Sequence, residues 1–93
     1  MFSLIFLYFI YIMSLNAYRI QIDKIDDQLL ELLEKRKLIT KMVQKIKKKK
    51  GLDLEDIERE NTVLDRLSDK SKKLKRDDLE KIYQPIFTIS KKI

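Results

Sequence analysis

The stretch from Ile22 to Lys50, IDKIDDQLLELLEKRKLITKMVQKIKKKK, decides the fold. Its apolar residues Ile22, Ile25, Leu29, Leu32, Ile39, Val43 and Ile46 are spaced by alternating steps of three and four, with one vacancy at position 36. That period marks one face of an amphipathic helix. No breaker occurs before Gly51, so the spacing predicts a single helix from about Asn16 to Lys50, about 50 Å long at 1.5 Å per residue. A compact globule of roughly 80 residues is only about 30 Å across. Such a helix either lies along a second chain or stands out into water.

Downstream of Gly51, the acidic cluster Asp53, Glu55 and Asp56 supplies residues that cap a helix and suit the positive end of its dipole. A second helix follows, with an apolar face at Ile57, Leu64 and Leu67 and an end near Ser71. The polar turn Lys72 to Arg76 leads to a third helix, capped by Asp77 or Asp78, with its face at Leu79, Tyr83, Ile86 and Ile93. Pro85 lies inside it, where loss of one backbone hydrogen bond should kink the helix. Glycine and proline occur once each, so the turn chemistry of a sheet is missing. The expected class is all-α, with three helices per chain.

Ninety-three residues make one domain, and a chain this short buries little surface as a monomer. It has no cysteine and no histidine, which removes disulfides, thiolate chemistry, the usual zinc sites and any mechanism needing an imidazole. Self-association is the remaining means of stabilisation. The formal charge is +6, and lysine fills five of the six positions from Lys45 to Lys50. That excess points to an anionic partner, or simply to a solvated last turn whose cations suit the helix dipole. Basic residues interleaved with aromatic ones, the mark of a nucleic-acid surface, are not evident.

Residues 1–13 are almost wholly apolar and read as a segment apart from a domain at 14–93. The run falls short of the roughly 20 residues that span a bilayer, so a membrane partner is not expected. It has the length of a signal-peptide core, but no basic residue precedes it, and cleavage after Ala17 would put Leu15 where a small residue belongs. Translation from Met13, an export or anchoring segment, and a helical extension all stay open.

Three polar residues stand where the stripes call for apolar ones: Arg36 between Leu32 and Ile39, Glu60 between Ile57 and Leu64, and Ser90 between Ile86 and Ile93. A guanidinium in an apolar seam is costly unless it is paired. One reading is an Arg36–Glu60 ion pair between helices, with Ser90 bonding back to a carbonyl. The other is a polar pocket inside a helical bundle that receives a small anion. Arg19 and Lys47 flank the same seam about 42 Å apart along a straight helix, too far for one small ligand to touch both. If both serve a ligand, Arg19 reaches into the site of an antiparallel partner; otherwise it is a surface arginine.

Taken in order, Arg19, Ile22-Asp23-Lys24-Ile25-Asp26, Leu29 to Arg36, Lys45-Ile46-Lys47 and Asp56-Ile57-Glu58-Arg59-Glu60 resemble the all-helical (AroQ-type) chorismate mutases. The similarity runs from Arg19 to about Leu67 and resumes at Ser90. It implies an intertwined homodimer in which each site receives Arg19 from the opposite subunit. It also implies that Arg36 and Arg59 hold the carboxylates of a dianionic substrate, chorismate, and that Lys47 binds a carboxylate and donates to the ether oxygen. Asp56, Glu60 and Ser90 would line the hydroxyl-bearing ring, with Glu60 as acceptor for the hydroxyl. On this reading Lys47, Arg36 and Glu60 are the catalytic residues. The reaction implied is a pericyclic rearrangement to prephenate in aromatic amino-acid biosynthesis, with no metal and no cofactor, in the cytoplasm unless residues 1–17 direct export.

The family usually carries a Gln or Glu four residues after the serine as a second donor to the ether oxygen, which here would be position 94, beyond Ile93. A clipped sequence, a compensating donor such as Lys91 or Lys92, and a weak or altered enzyme are the three explanations that fit. Two other functions fit parts of the pattern. An isochorismate pyruvate lyase would use the same fold and the same cations, and a non-catalytic helical dimerisation module would explain the heptads and lysines. The module gives no reason for Arg36 and Glu60 to interrupt their stripes.

Overall fold

The computed structural model describes residues 3–92. It contains α1 (Leu4–Lys49), α2 (Ile57–Lys70) and α3 (Arg76–Ser90), and among the described residues there is no strand. Of the described residues, 83% are helical, as the all-α reading requires. It divides into two compact units, one ending at Glu34 and the other beginning at Lys35, and α1 contributes residues to both.

The first unit is the amino-terminal part of α1. The helix starts at Leu4, well before the expected Asn16, because no breaker separates the apolar run from the amphipathic stretch. Ser3 caps it: its Oγ accepts the Phe6 N–H at 3.1 Å. The stripe residues Ile22, Ile25, Leu29 and Leu32 are 51–60% exposed, so this chain alone does not cover them. Counting only to Met13 made the apolar run too short for a bilayer. In the continuous helix, an 18-residue window of mean hydropathy 1.3 is long and apolar enough to cross a membrane by length and composition.

In the second unit, α1 stops where the sequence says it should. Gly51 takes φ +70°, the left-handed conformation that glycine adopts without a Cβ clash. The Gly51 N–H then reaches the Lys48 carbonyl at 3.2 Å and the Leu52 N–H the Lys47 carbonyl at 2.8 Å, a complete Schellman closure. Asp56 caps α2 by accepting the Arg59 N–H at 2.9 Å, and Ser71 follows its last residue. Asp78 caps α3 by reaching back from the first turn to the Lys75 N–H at 3.0 Å, whereas Asp77 pairs with Lys81. α3 runs unbroken through Pro85 to Ser90.

α2 and α3 pack through Val63, Leu64, Leu79 and Phe87, all buried, with Leu67 and Tyr83 packed against them. Leu64, Leu67, Leu79 and Tyr83 belong to the faces read from the sequence, and Ile86 is half-buried. Ile57 does not belong to the core: as the first residue of α2 it is 62% exposed. Ile39, Val43 and Ile46 are likewise exposed in this chain. Ile93 lies outside the described residues.

Leu64 is 2% exposed, the most deeply buried side chain of the cluster. Leu64→Ala should cost about 2–5 kcal/mol in denaturant unfolding at fixed protein concentration. A cost below about 1 kcal/mol would show that this cluster is not the core.

Candidate functional site

A cavity of about 320 Å³ opens in the second unit, between the carboxyl-terminal part of α1, the loop into α2, α2 itself and the end of α3. Its size is that of a small-ligand site. Six of the seven residues singled out in the sequence line it: Arg36, Lys47, Asp56, Arg59, Glu60 and Ser90. Arg19 does not, and lies on the part of α1 that belongs to the first unit.

On α1, Arg36, Thr40, Gln44 and Lys47 follow at helical spacing and present one polar edge to the cavity. Arg36 is half-buried, and its Nη1 donates to Ser90 Oγ at 2.6 Å. Ser90 Oγ in turn donates to the Ile86 carbonyl at 2.7 Å. The Arg36 guanidinium also lies 5.8 Å from the centroid of the Phe87 ring, within cation–π range. The expected Arg36–Glu60 ion pair is not formed. Glu60 instead takes the Lys91 ammonium at 2.8 Å, while Arg36 turns to α3. The return of Ser90 to a carbonyl holds.

Two further contacts fasten the end of α3 to α1. Lys37 Nζ donates to the Ile89 carbonyl at 3.2 Å, and Gln44 Nε2 faces the Ser90 carbonyl at 3.5 Å and the Leu54 carbonyl at 3.4 Å. The Ile89 carbonyl also accepts the Lys92 N–H at 3.2 Å, while the Ser90 carbonyl, past the last full turn of α3, is the kind of helix-end group that side-chain donors serve. Gln44 is 5% exposed, and its Oε1 has no hydrogen-bond partner among the described residues. With Nε2 turned to two carbonyls, the amide orientation is set and the acceptor is left over. An unpaired buried acceptor is costly until a water or a ligand hydroxyl supplies a proton.

Lys47 and Arg59 line the cavity with no side-chain hydrogen bond among the described residues, so their donors are available to an anion. Asp56 has two tasks, because one carboxylate oxygen caps α2 while the residue faces the cavity. Lys91 bridges Glu55 at 3.1 Å and Glu60 at 2.8 Å. Of the two substitutes considered for position 94, Lys91 lines the cavity and Lys92 does not. Among the described residues no group of three or more acidic, histidine or cysteine side chains is placed to hold a metal ion.

Sequence reading missed Gln44 and Phe87. Phe87 was legible in principle, since it stands four residues after Tyr83 and three before Ser90. Gln44 carried no periodic signal, because it sits beside Val43 at the border of the stripe.

A family model described as chorismate mutase type II matches residues 18–93. No curated protein and no solved structure matches the chain.

Hydrogen bonds, first from Glu60 and then from Glu55, hold the Lys91 ammonium above the ordinary lysine value of 10.5. A raised cation pKa contributes stability that is complete below the ordinary value and is lost as pH climbs through the raised one. Followed from about pH 9 to about pH 12, the unfolding midpoint should therefore fall more steeply for the wild type than for Lys91→Met. Parallel curves would mean that the Lys91 bridge adds no alkaline-sensitive stability.

Proposed function

Since the chain belongs to the chorismate mutase type II family, we propose that it is an isomerase that rearranges chorismate to prephenate, a step of aromatic amino-acid biosynthesis. The observation that carries this reading is the gathering of Arg36, Lys47 and Arg59 around one cavity with Asp56, Glu60 and Ser90. Three cations beside two carboxylates and a hydroxyl suit a flexible dicarboxylate that also bears a hydroxyl group.

The reaction breaks the carbon–oxygen bond of the ether and forms a carbon–carbon bond in the same cyclic step, so no proton, nucleophile or electron carrier enters the balance. The site's work is to hold the substrate folded and to stabilise charge that grows on the ether oxygen. Arg36 and Arg59 hold the two carboxylates, a task that suits a planar fork of donors that stays charged. The fixed hydrogen bond to Ser90 and the Phe87 face support an Arg36 that is already aimed before substrate arrives. Lys47 binds a carboxylate and donates to the ether oxygen, and one such donor is typically worth about 10²- to 10³-fold in rate. Glu60 accepts the ring hydroxyl through the oxygen not taken by Lys91, and Asp56 stands beside it.

The working enzyme is a homodimer in which Arg19 completes the partner's site. Two observations support this. The α1 stripe is uncovered in the single chain, and Arg19 is not among the residues lining the chain's own cavity.

Incubation with chorismate should deplete its absorbance and yield prephenate, and Arg36→Ala should abolish that turnover while circular dichroism stays helical. Pyruvate released from isochorismate, with no prephenate formed, would assign the site to the lyase reaction instead. Arg19→Ala alone should be as damaging as Arg36→Ala, yet mixing the two inactive variants should restore activity. One site of each mixed dimer then holds both arginines. No recovery from a mixed dimer would refute the shared site.

A further inference from the structure

The mechanism above leaves one cation of the cavity unused. Lys91 lies on the residue following α3, is 28% exposed at its side chain, and lines the cavity together with Arg36, Lys47 and Arg59. Its ammonium has three N–H groups. Two are engaged, on Glu55 Oε1 at 3.1 Å and Glu60 Oε2 at 2.8 Å, and the third has no acceptor among the described residues.

We propose that Lys91 is a substrate-binding residue, donating its third N–H to an oxygen of the bound dianion. The inference rests on this cavity being the substrate site. Four cationic and two carboxylate side chains of this chain line it, before any arginine that a partner brings, so the lining is net positive toward a dianion. Without Lys91, Glu60 faces the incoming dianion with no ammonium paired to it. A lysine on a flexible stem does not usually hold one direction, but two carboxylates from the loop before α2 and from α2 fix this one. The contact is a charge-assisted hydrogen bond, stronger than one between neutral groups.

Lys91 could instead act only by neutralising Glu60, and a double-mutant cycle separates the two roles. The probe is prephenate, titrated calorimetrically into the wild type, Lys91→Met, Lys91→Arg, Glu60→Gln and the double variant Lys91→Met/Glu60→Gln, alongside chorismate kinetics on each. Lys91→Met should weaken prephenate binding and raise KM by about 10- to 100-fold, as expected for loss of a hydrogen bond to a charged group. Lys91→Arg should recover most of that loss. The same 10- to 100-fold penalty should persist in the Glu60→Gln background, because direct contact with the ligand does not need Glu60. Lys91→Met binding prephenate as the wild type does, or costing nothing once Glu60 is neutral, would overturn the assignment while leaving an active wild-type mutase. A wild type that neither binds prephenate nor turns over chorismate overturns the functional reading, and this inference with it.

Discussion

A guanidinium placed in an apolar helix stripe is the constraint that organises the second unit. Arg36 occupies a position that Leu or Ile would fill without cost, and its charge must be satisfied by something other than bulk water. The structure meets that demand from one side of one helix. Ser90 Oγ accepts a guanidinium N–H, and the Phe87 face lies beneath the charge. Both partners come from the last turn of α3, so satisfying Arg36 requires that turn to lie against α1. The contacts of Lys37 with the Ile89 carbonyl and of Gln44 with the Ser90 carbonyl use the same juxtaposition to fasten the end of α3 to α1. The cavity opens along this polar seam, with Arg36, Thr40 and Gln44 in its lining.

The same residues explain what could be read from the sequence and what could not. The end of α1 was legible because Gly51 is the one residue able to take the left-handed turn, and the cap of α2 because Asp56 stands immediately before an apolar step. The polar vacancies at 36, 60 and 90 were legible as anomalies in three separate stripes, and their meeting around one cavity is the structural expression of that pattern. Their pairing was not legible. Charge alone makes Glu60 the natural partner of Arg36, but the choice depends on which side chains come from the same side of the cavity. Lys91 reaches Glu60 from the end of α3, and Arg36 is left to a hydroxyl and a ring. Ile57 failed as a core residue for a related reason: periodicity tells which face a residue takes, not whether the first turn of a helix has a neighbour there.

Asp56 shows how a short chain compresses its requirements. A cap in that position is worth about 1 kcal/mol to α2, and the same carboxylate lies at the edge of the cavity. Because its Oδ1 is bound to the backbone of Arg59, the site carboxylate and the site arginine are held in register by a local hydrogen bond. Positioning here comes from the start of a helix, which forms with α2 and needs no long-range packing. That is economical in a molecule whose central apolar cluster is four buried residues.

So small a cluster bears on how the chain stays folded. Four buried apolar side chains contribute on the order of 10 kcal/mol by burial, which chain entropy in a domain of this size readily offsets. The apolar surface that could make up the difference is on α1, where Ile22, Ile25, Leu29, Leu32, Ile39, Val43 and Ile46 are exposed. Their three-four spacing is the pattern by which one helix packs along another, and a second copy of this chain offers the same stripe. If that copy covers it, the contact that completes the core is also the one that brings in Arg19. Folding and site assembly then become a single association event, and a monomer would lack the stability and the site together. Under the proposed dimer, a substrate-binding arginine carried on the dimerising helix would keep an unassembled chain from holding the substrate fully.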